Sequence, residues 1–141
     1  MDRLSNALVA RGVGKGDRVA LLSPNSHYFM ETLYATMQLG ALFVPLNFRL
    51  QAGEYVYLLN DCDPDVLVAD YEHAGKVDQV RDEVDVGAYV GYEADRIEGD
   101  GWEDYEGVLA EASAESPERP DIDETDDATI LYTSGTTGDP K

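Results

Sequence analysis

The chain has 141 residues, of which 29 are acidic and 10 are basic, and its formal net charge is −19 at pH 7. This length fits one domain with a hydrophobic core. The charge is uneven, because residues 61–141 hold 25 acidic and five basic side chains. Such a surface repels nucleic acid and anionic membranes, so we predict no nucleic-acid partner and interpret the acidity as a solvated or salt-adapted surface.

The sequence carries no recognisable targeting or metal-binding signal. No apolar run approaches the ~20 residues of a membrane-spanning helix, and residues 1–6 lack the apolar core of a signal peptide. We therefore predict a cytoplasmic protein without a membrane span. Cys62 has no second cysteine to bond with, and together with His27 and His73 it makes too small a set for a metal-ligand cluster, so we predict no metal site.

Residues 1–91 alternate between apolar runs typical of buried parallel strands and amphipathic stretches typical of helices. We predict strands at about residues 19–22, 41–44, 66–69 and 88–90. We predict four helices: one ending at Gly12, one from Asn25 or Ser26 to Gly40, one at about residues 53–61, and one carrying Val77, Val80 and Val84. The alternation predicts an α/β fold, with a mostly parallel sheet flanked by helices and joined by right-handed crossovers.

The helix predicted to end at Gly40 carries a stripe of aromatic, methionine and leucine side chains: Phe29, Met30, Leu33, Tyr34 and Met37. Their spacing places them along one side of a helix. We interpret this stripe as part of the hydrophobic core.

The remainder divides into two parts after the βαβα core of residues 1–91. Residues 92–127 are predicted to form an acidic, irregular excursion and linker, with one helix at about residues 102–112 anchored by Trp102, Tyr105 and Leu109. Residues 128–141 are predicted to form a strand, at 128–132, followed by a loop. The whole chain is then part of one domain.

That final loop has the composition of a phosphate-binding site. Gly135 and Gly138 lack a Cβ, so backbone amides can turn toward an anion at close range. Four hydroxyl groups can donate further hydrogen bonds, and Lys141 adds a mobile positive charge. A loop that follows a strand of a parallel sheet lies where α/β proteins bind ligands. The predicted phosphate-binding residues are Thr133, Ser134, Gly135, Thr136, Thr137, Gly138 and Lys141.

Two other interpretations of the loop were weighed. A stretch rich in Gly, Ser and Thr is by itself often a solvated surface turn. The nucleotide-binding P-loop of kinases and GTPases has glycine and lysine adjacent, followed by Ser or Thr. Here Asp139 and Pro140 separate Gly138 from Lys141, so the spacing disfavours a phosphotransferase.

The run Tyr132-Thr-Ser-Gly-Thr-Thr-Gly-Asp-Pro-Lys141 resembles the phosphate-binding signature of the AMP-forming adenylating enzymes, which include the acyl-CoA synthetases. Residues 12–26 and 40–50 also resemble the opening of the large N-terminal domain of that family. The amino-acid sequence at residues 45–50 most resembles that of acyl-CoA synthetases. The resemblance covers nearly the whole chain and is weakest at residues 92–127.

The resemblance implies a two-step reaction. A substrate carboxylate attacks ATP to give an acyl-adenylate and pyrophosphate, and the thiol of coenzyme A then displaces AMP. It further implies that ATP, Mg²⁺ and coenzyme A are used, and that the acyl pocket, the Mg²⁺ ligand and the catalytic residues lie downstream of this chain. We therefore interpret the chain as a fragment of an acid–thiol ligase that lacks its C-terminal remainder and carries no catalytic residue. The alternative is a stand-alone, non-catalytic nucleotide- or protein-binding module.

Overall fold

The computed structural model describes residues 1–133. Five strands form one sheet: β1 (Arg18–Leu22), β2 (Leu42–Pro45), β3 (Val66–Asp70), β4 (Ala88–Tyr92) and β5 (Trp102–Asp104). Their order in the sheet is β2-β1-β3-β4-β5, and every neighbouring pair is parallel. The prediction of a parallel α/β sheet is confirmed.

Five helices cover the sheet: α1 (Asp2–Ala10), α2 (His27–Gln38), α3 (Ala52–Cys62), α4 (Tyr71–Asp78) and α5 (Tyr105–Glu111). Short 3₁₀ turns lie at Arg81–Glu83 and Ala94–Arg96. Among residues 1–133, no helix combines the length and the apolar composition that a membrane crossing requires.

The central strands are buried on both faces, which explains their continuous apolar sequence. In β1, residues 19–22 are fully buried. Successive side chains alternate between two cores, because a strand points them to opposite faces. Val19 and Leu21 pack with α1, α2 and α5, whereas Ala20 and Leu22 pack with α3 and α4. The sheet is therefore the middle layer of three.

Polar side chains set where three helices begin. The Ser26 hydroxyl accepts a hydrogen bond from the Phe29 amide at 3.3 Å and caps α2. Asp70 accepts from the His73 amide at 3.0 Å to cap α4, and Asp104 accepts from the Gly107 amide at 2.8 Å to cap α5. Each cap satisfies an amide that has no partner within its helix. Of the two caps predicted for α2, Ser26 is the one used.

The interpretation of the α2 stripe as core is wrong for three of its residues. Met30, Tyr34 and Met37 are 44%, 51% and 38% exposed. The face buried against the sheet carries Thr32, Ala35 and Thr36 instead. The two threonines tolerate burial because their hydroxyls donate to the carbonyls of Tyr28 and Thr32, at 2.8 and 2.7 Å.

The helix predicted around Val77, Val80 and Val84 begins and ends earlier than expected. It is α4, which begins directly after its Asp70 cap and ends at Asp78. Val80 is still buried, but in the turn that follows α4. The valine spacing therefore predicted the burial of Val77 and Val80 correctly, whereas Val84 is only partly buried. Of the three, only Val77 lies in the helix.

Residues 92–127 contain one strand that the sequence did not reveal. Trp102, predicted as a helix anchor, lies in β5, which pairs with β4. The indole of Trp102 donates to the carboxylate of Asp78 at 2.8 Å. The guanidinium of Arg81 lies over the Tyr89 ring at 3.7 Å and near the Trp102 ring at 5.3 Å. Side-chain packing, rather than strand length, holds β5 in the sheet.

The predicted linker lies against the domain surface. The Asn6 side chain donates to the carbonyls of Ser113 and Glu115, at 2.9 and 2.8 Å. The ammonium group of Lys15 donates to the Asp121 carbonyl at 2.7 Å and pairs with the Asp126 carboxylate at 2.8 Å. These contacts direct the acidic segment back toward the β2 edge of the sheet.

Candidate functional site

Residues 128–133 continue the sheet beyond β2 as an edge segment. The Phe43 amide donates to the Ala128 carbonyl at 2.9 Å, and the Ile130 amide donates to the Phe43 carbonyl at 3.0 Å. These bonds make one parallel bridge between Phe43 and Thr129. The strand predicted at 128–132 is thus reduced to a bridge. The next β2 residue in a position to donate is Pro45, which has no amide hydrogen.

Tyr132 anchors the end of this edge segment. Its ring packs, with Ile130, against the core on the α3 side of the sheet. Its hydroxyl donates to the Asp61 carboxylate at 2.6 Å. Burial and, after it, the hydrogen bond to Asp61 raise the pKa of Tyr132 above its ordinary value. Tyr132 therefore stays a neutral donor and holds the segment onto α3.

Thr133 is the one predicted site residue that the structure describes, and it is exposed at the end of the edge segment. Because the segment runs parallel to β2, Thr133 lies at the carboxyl edge of the sheet, where β1 and β3 also end. Ligands of open α/β sheets bind at this edge. The other predicted phosphate-binding residues lie outside the described residues, and their role stays a prediction: Ser134, Gly135, Thr136, Thr137, Gly138 and Lys141.

The loop after β2, residues 46–51, is the next one along the carboxyl edge. The Tyr55 hydroxyl donates to the Asn47 carbonyl at 2.6 Å. The ammonium group of Lys76 donates to the Phe48 and Leu50 carbonyls at 2.7 and 2.9 Å. Arg49 is exposed on this held loop, with its guanidinium 5.3 Å from the Phe48 ring centre. The edge thus presents an exposed cation, Arg49, in a strongly acidic chain. The sequence analysis included Arg49 only as part of a structural segment.

A hollow of about 230 Å³ lies at the same edge, at the ends of β1, β3 and β4. The order of the sheet places it at the switch point, because the chain leaves β1 for β2 on one side and reaches β3 on the other. Its polar lining includes Ser23, Asn25, Asp70, Glu72 and Glu93. The sequence analysis missed this hollow, although polar residues directly after two buried strands were a signal for it.

Asp70, Glu72 and His73 bring three possible metal ligands within 4.8 Å of one another. The sequence analysis considered only cysteine and histidine and missed this grouping. The Asp70 carboxylate lies 2.7 Å from the His73 Nδ1 atom and also accepts the His73 amide, so capping and an Asp–His contact explain the arrangement. The cluster follows β3, three strand positions from the edge segment, or about 14 Å at the usual strand spacing.

Comparison with known proteins gives the family of the whole chain. A family model described as AMP-binding enzyme matches residues 1–141. The chain belongs to the AMP-binding enzyme family. The resemblance inferred from the terminal loop is thereby confirmed.

The chain is similar to several acyl-CoA ligases of this family. It is 39% identical to the indoleacetate–CoA ligase of Aromatoleum aromaticum over 141 residues, which are 100% of this chain and 27% of that protein. It is 40% identical to a feruloyl-CoA synthase of Amycolatopsis, covering 99% of this chain and 25% of that protein. The chain therefore spans about a quarter of the length of these curated relatives.

Solved structures of family members share the fold. The anthranilate CoA ligase AuaEII, in complex with anthranoyl-AMP, superposes with a TM-score of 0.88 at 26% identity, over 99% of this chain and 25% of that one. A fatty acyl CoA synthetase of Mycobacterium tuberculosis gives a TM-score of 0.79 at 32% identity, over 99% of this chain and 26% of that one. The sheet and its helices correspond to part of the N-terminal domain of adenylating enzymes.

Proposed function

We propose that the protein carrying this chain is an AMP-forming acid–thiol ligase. It activates a carboxylic acid with ATP to form an acyl-adenylate and pyrophosphate, and then transfers the acyl group to coenzyme A. The observation that carries the proposal is the family match over the whole chain, and the edge segment that ends with Thr133 at the carboxyl edge of the sheet supports it. The isolated chain contributes binding groups and no catalytic residue.

We assign to the loop the role of binding the triphosphate of ATP. Amides and hydroxyls of residues 133–138 donate to the β- and γ-phosphate oxygens, and Lys141 adds a positive charge. When the carboxylate attacks the α-phosphorus, the bond to the leaving pyrophosphate breaks and negative charge grows on its oxygens. Donors already fixed around those oxygens stabilise that charge more in the transition state than in the ground state.

The described residues contribute by anchoring the edge segment and the loop beside it. Tyr132, held on Asp61, fixes where the loop begins. Tyr55 and Lys76 hold the neighbouring loop at residues 46–51. A donor array stabilises developing charge best when it needs no rearrangement, so these contacts preorganise the binding edge.

Mg²⁺ was implied by the family resemblance, and residues 1–133 offer no fitting site for it beside the edge segment. The cluster of Asp70, Glu72 and His73 lies about 14 Å away by strand spacing. Its Asp70 carboxylate is also already engaged with His73. We therefore derive no step through a metal ion from these residues.

The proposed acyl substrate is an aryl or fatty carboxylic acid. Support comes from the relatives, whose names include an indoleacetate ligase, a feruloyl-CoA synthase and a long-chain-fatty-acid ligase of Mycobacterium tuberculosis that is 38% identical over 140 residues. These acids differ in shape but share the carboxylate on which the first step acts. The acyl pocket itself is assigned to sequence beyond this chain.

ATP–pyrophosphate exchange in the whole protein tests the proposal. The Lys141→Ala variant removes one positive charge from the loop, and we expect exchange to fall by about 100-fold, as for loss of one oxyanion-stabilising group. The matched control is Arg119→Ala, which removes one positive charge from an exposed position of the acidic segment. The control should retain the parent rate. Unchanged exchange in Lys141→Ala would contradict the assignment of the loop.

A further inference from the structure

Lys15, in the turn before β1, is bound to the acidic residues 121–127 that lead into the edge segment. Its ammonium group donates to the Asp121 carbonyl at 2.7 Å and pairs with the Asp126 carboxylate at 2.8 Å. Among residues 1–133, no other basic side chain forms an ion pair with residues 121–127. The hydrogen bond between them raises the pKa of Lys15 and lowers the pKa of Asp126, so both groups are charged at neutral pH.

Asp126 organises the turn to which it belongs. Its Oδ2 atom, which pairs with Lys15, also accepts the Asp123 amide at 2.8 Å, and the Asp126 amide donates to the Asp123 carbonyl at 3.0 Å. The Asp123 carboxylate accepts the amide and the hydroxyl of Thr125, at 2.9 and 2.7 Å. Five of the seven residues 121–127 are acidic, so their charges repel one another at short range. The ammonium group of Lys15 offsets this repulsion at the residue that closes the turn.

The backbone that carries Lys15 is itself fixed. The Gly16 amide donates to the Gly40 carbonyl at 2.9 Å, which joins the turn before β1 to the turn before β2. Gly40 has a φ of +66°, and a Cβ placed there would lie 3.2 Å from the Cγ atoms of both Lys15 and Pro120. The Lys15 side chain thus packs with Pro120 over a glycine, and its ammonium group reaches Asp126 from a fixed base.

The edge segment begins two residues after Asp126. The Ala128 carbonyl accepts the Phe43 amide at 2.9 Å, as part of the one bridge to β2. A single bridge fixes a segment less firmly than a strand ladder does, so contacts at its two ends decide where it lies. The Lys15–Asp126 pair holds the beginning, and Tyr132 holds the end.

We propose that Lys15 is a positioning residue for the reaction with ATP. By pairing with Asp126 it fixes where the edge segment begins, and thereby the position from which the phosphate loop extends. This inference rests on the proposed function. Donors around the phosphates stabilise developing charge best when they are already in place. A displacement on the order of 1 Å, even one caused from a distance, can lower a rate about 100-fold.

The exposure of the pair decides which property should respond to its loss. The side chains of Lys15 and Asp126 are 43% and 33% exposed, and surface pairs of this kind contribute little to the free energy of unfolding. We therefore expect the domain to stay folded without the pair and the binding of ATP to change.

Kinetics of the whole protein test the proposal. Lys15→Met keeps an unbranched side chain beside Gly40 and removes the ammonium group. In ATP–pyrophosphate exchange, we expect the KM for ATP to rise about tenfold, because the loop extends from a less defined position. The KM for the carboxylic acid should change by less than about twofold, because the acyl pocket is assigned to sequence beyond this chain. Lys15→Arg keeps the charge and should restore the KM for ATP.

Arg11→Met is the matched control. Arg11 also donates to a backbone carbonyl, that of Ala7 at 2.7 Å, and pairs with a carboxylate, that of Glu103 at 2.8 Å. Glu103 lies in β5, at the opposite edge of the sheet from the edge segment. Loss of this pair should leave the KM for ATP at the parent value.

Hydrogen exchange gives a second measurement that does not depend on catalysis. The amides of Phe43 and Ile130 form the bridge between β2 and the edge segment. In Lys15→Met we expect both amides to exchange about fivefold faster, while the amides of β1 stay unchanged.

Three results would overturn the proposal. An unchanged KM for ATP in Lys15→Met would show that the pair does not position the loop. A Lys15→Arg variant as impaired as Lys15→Met would show that the charge is not responsible. Exchange activity that falls with the amount of folded protein, with both KM values unchanged, would assign Lys15 a role in stability alone. A parent protein without ATP–pyrophosphate exchange would instead refute the proposed function, and the two bridge amides would still report whether Lys15 holds the edge segment.

Discussion

The two edges of the sheet are built differently. At one edge, β5 has only three residues but is fixed by the Trp102–Asp78 hydrogen bond, by Arg81 against two rings, and by the Arg11–Glu103 pair. At the other edge, residues 128–133 have one bridge and one anchoring tyrosine. We call the first edge closed, because side chains of this chain fasten its strand to the rest of the domain. We call the second edge open, because among residues 1–133 no strand pairs with its outer side.

The largest loss of stability is expected at the closed edge, when Trp102 is truncated. Trp102→Ala removes a partly buried indole, its hydrogen bond to Asp78 and a ring beside Arg81. We expect a loss of about 3 kcal/mol in the free energy of unfolding, the low end for large aromatic truncations. Urea unfolding measures this loss. Trp102→Phe, which keeps an aromatic ring, should lose less; equal losses would mean that packing of the ring contributes nothing.

The open edge should loosen locally rather than unfold the domain. Tyr132→Phe removes the hydrogen bond to Asp61, worth about 1 kcal/mol. We expect the Ile130 amide to exchange its hydrogen about fivefold faster, while amides of β1 stay unchanged. Hydrogen exchange followed by mass spectrometry or NMR measures the exchange rates of the Ile130 amide and of the β1 amides. Tyr57→Phe, at an exposed position of α3, is the control. An equal effect there would show that the Asp61 hydrogen bond is not the cause, and faster exchange throughout β1 would show that the change is not local.

The smallest effect is expected at the Arg11–Glu103 pair on the closed edge. The Arg11 guanidinium donates two hydrogen bonds to the carboxylate, at 2.8 Å each, and holds the pKa of Glu103 below its usual range. A lowered folded-state pKa stabilises the fold above the ordinary carboxyl pKa, and this stability is lost as pH falls through the lowered value. Because Glu103 is 47% exposed, we expect only about 0.5 kcal/mol.

Unfolding measured against pH tests this pair. The parent should be more stable than Glu103→Gln above about pH 5, and the difference should vanish below about pH 3. Glu98→Gln, which removes an exposed carboxylate from the segment before β5, is the control. A difference between parent and Glu103→Gln that persists at the lowest pH would assign the effect to packing instead of charge.

Local sequence predicted the parts of the fold in which each residue's neighbours along the chain decide its environment. Strand β1 reads as continuous apolar sequence because it is buried on both faces, and Ser26 is recognisable as a cap because its partner is three residues away. The terminal loop was identified for the same reason, since its glycines, hydroxyls and lysine are contiguous. The phosphate-binding role of its residues, Thr133 included, stays a prediction.

Other predictions failed where a distant partner decides the outcome. Strand β5 reads Trp-Glu-Asp, which has no strand pattern, and is held by Asp78 at the end of α4 and by Arg81 in the turn that follows. The α2 stripe was interpreted as core because apolar spacing shows which residues share a face and not which face meets the sheet. Threonines occupy the inner face because their hydroxyls bond back to the helix.

By itself, the sequence predicted a parallel α/β fold and membership of the AMP-binding enzyme family, because apolar runs, caps and the terminal motif are all local patterns. Only the tertiary structure decided that one edge of the sheet is closed and the other open, that α2 turns methionines and a tyrosine outward, and that a polar hollow forms at the switch point. Those features depend on pairing and packing between residues far apart in the chain, for which a single sequence carries no periodic signal.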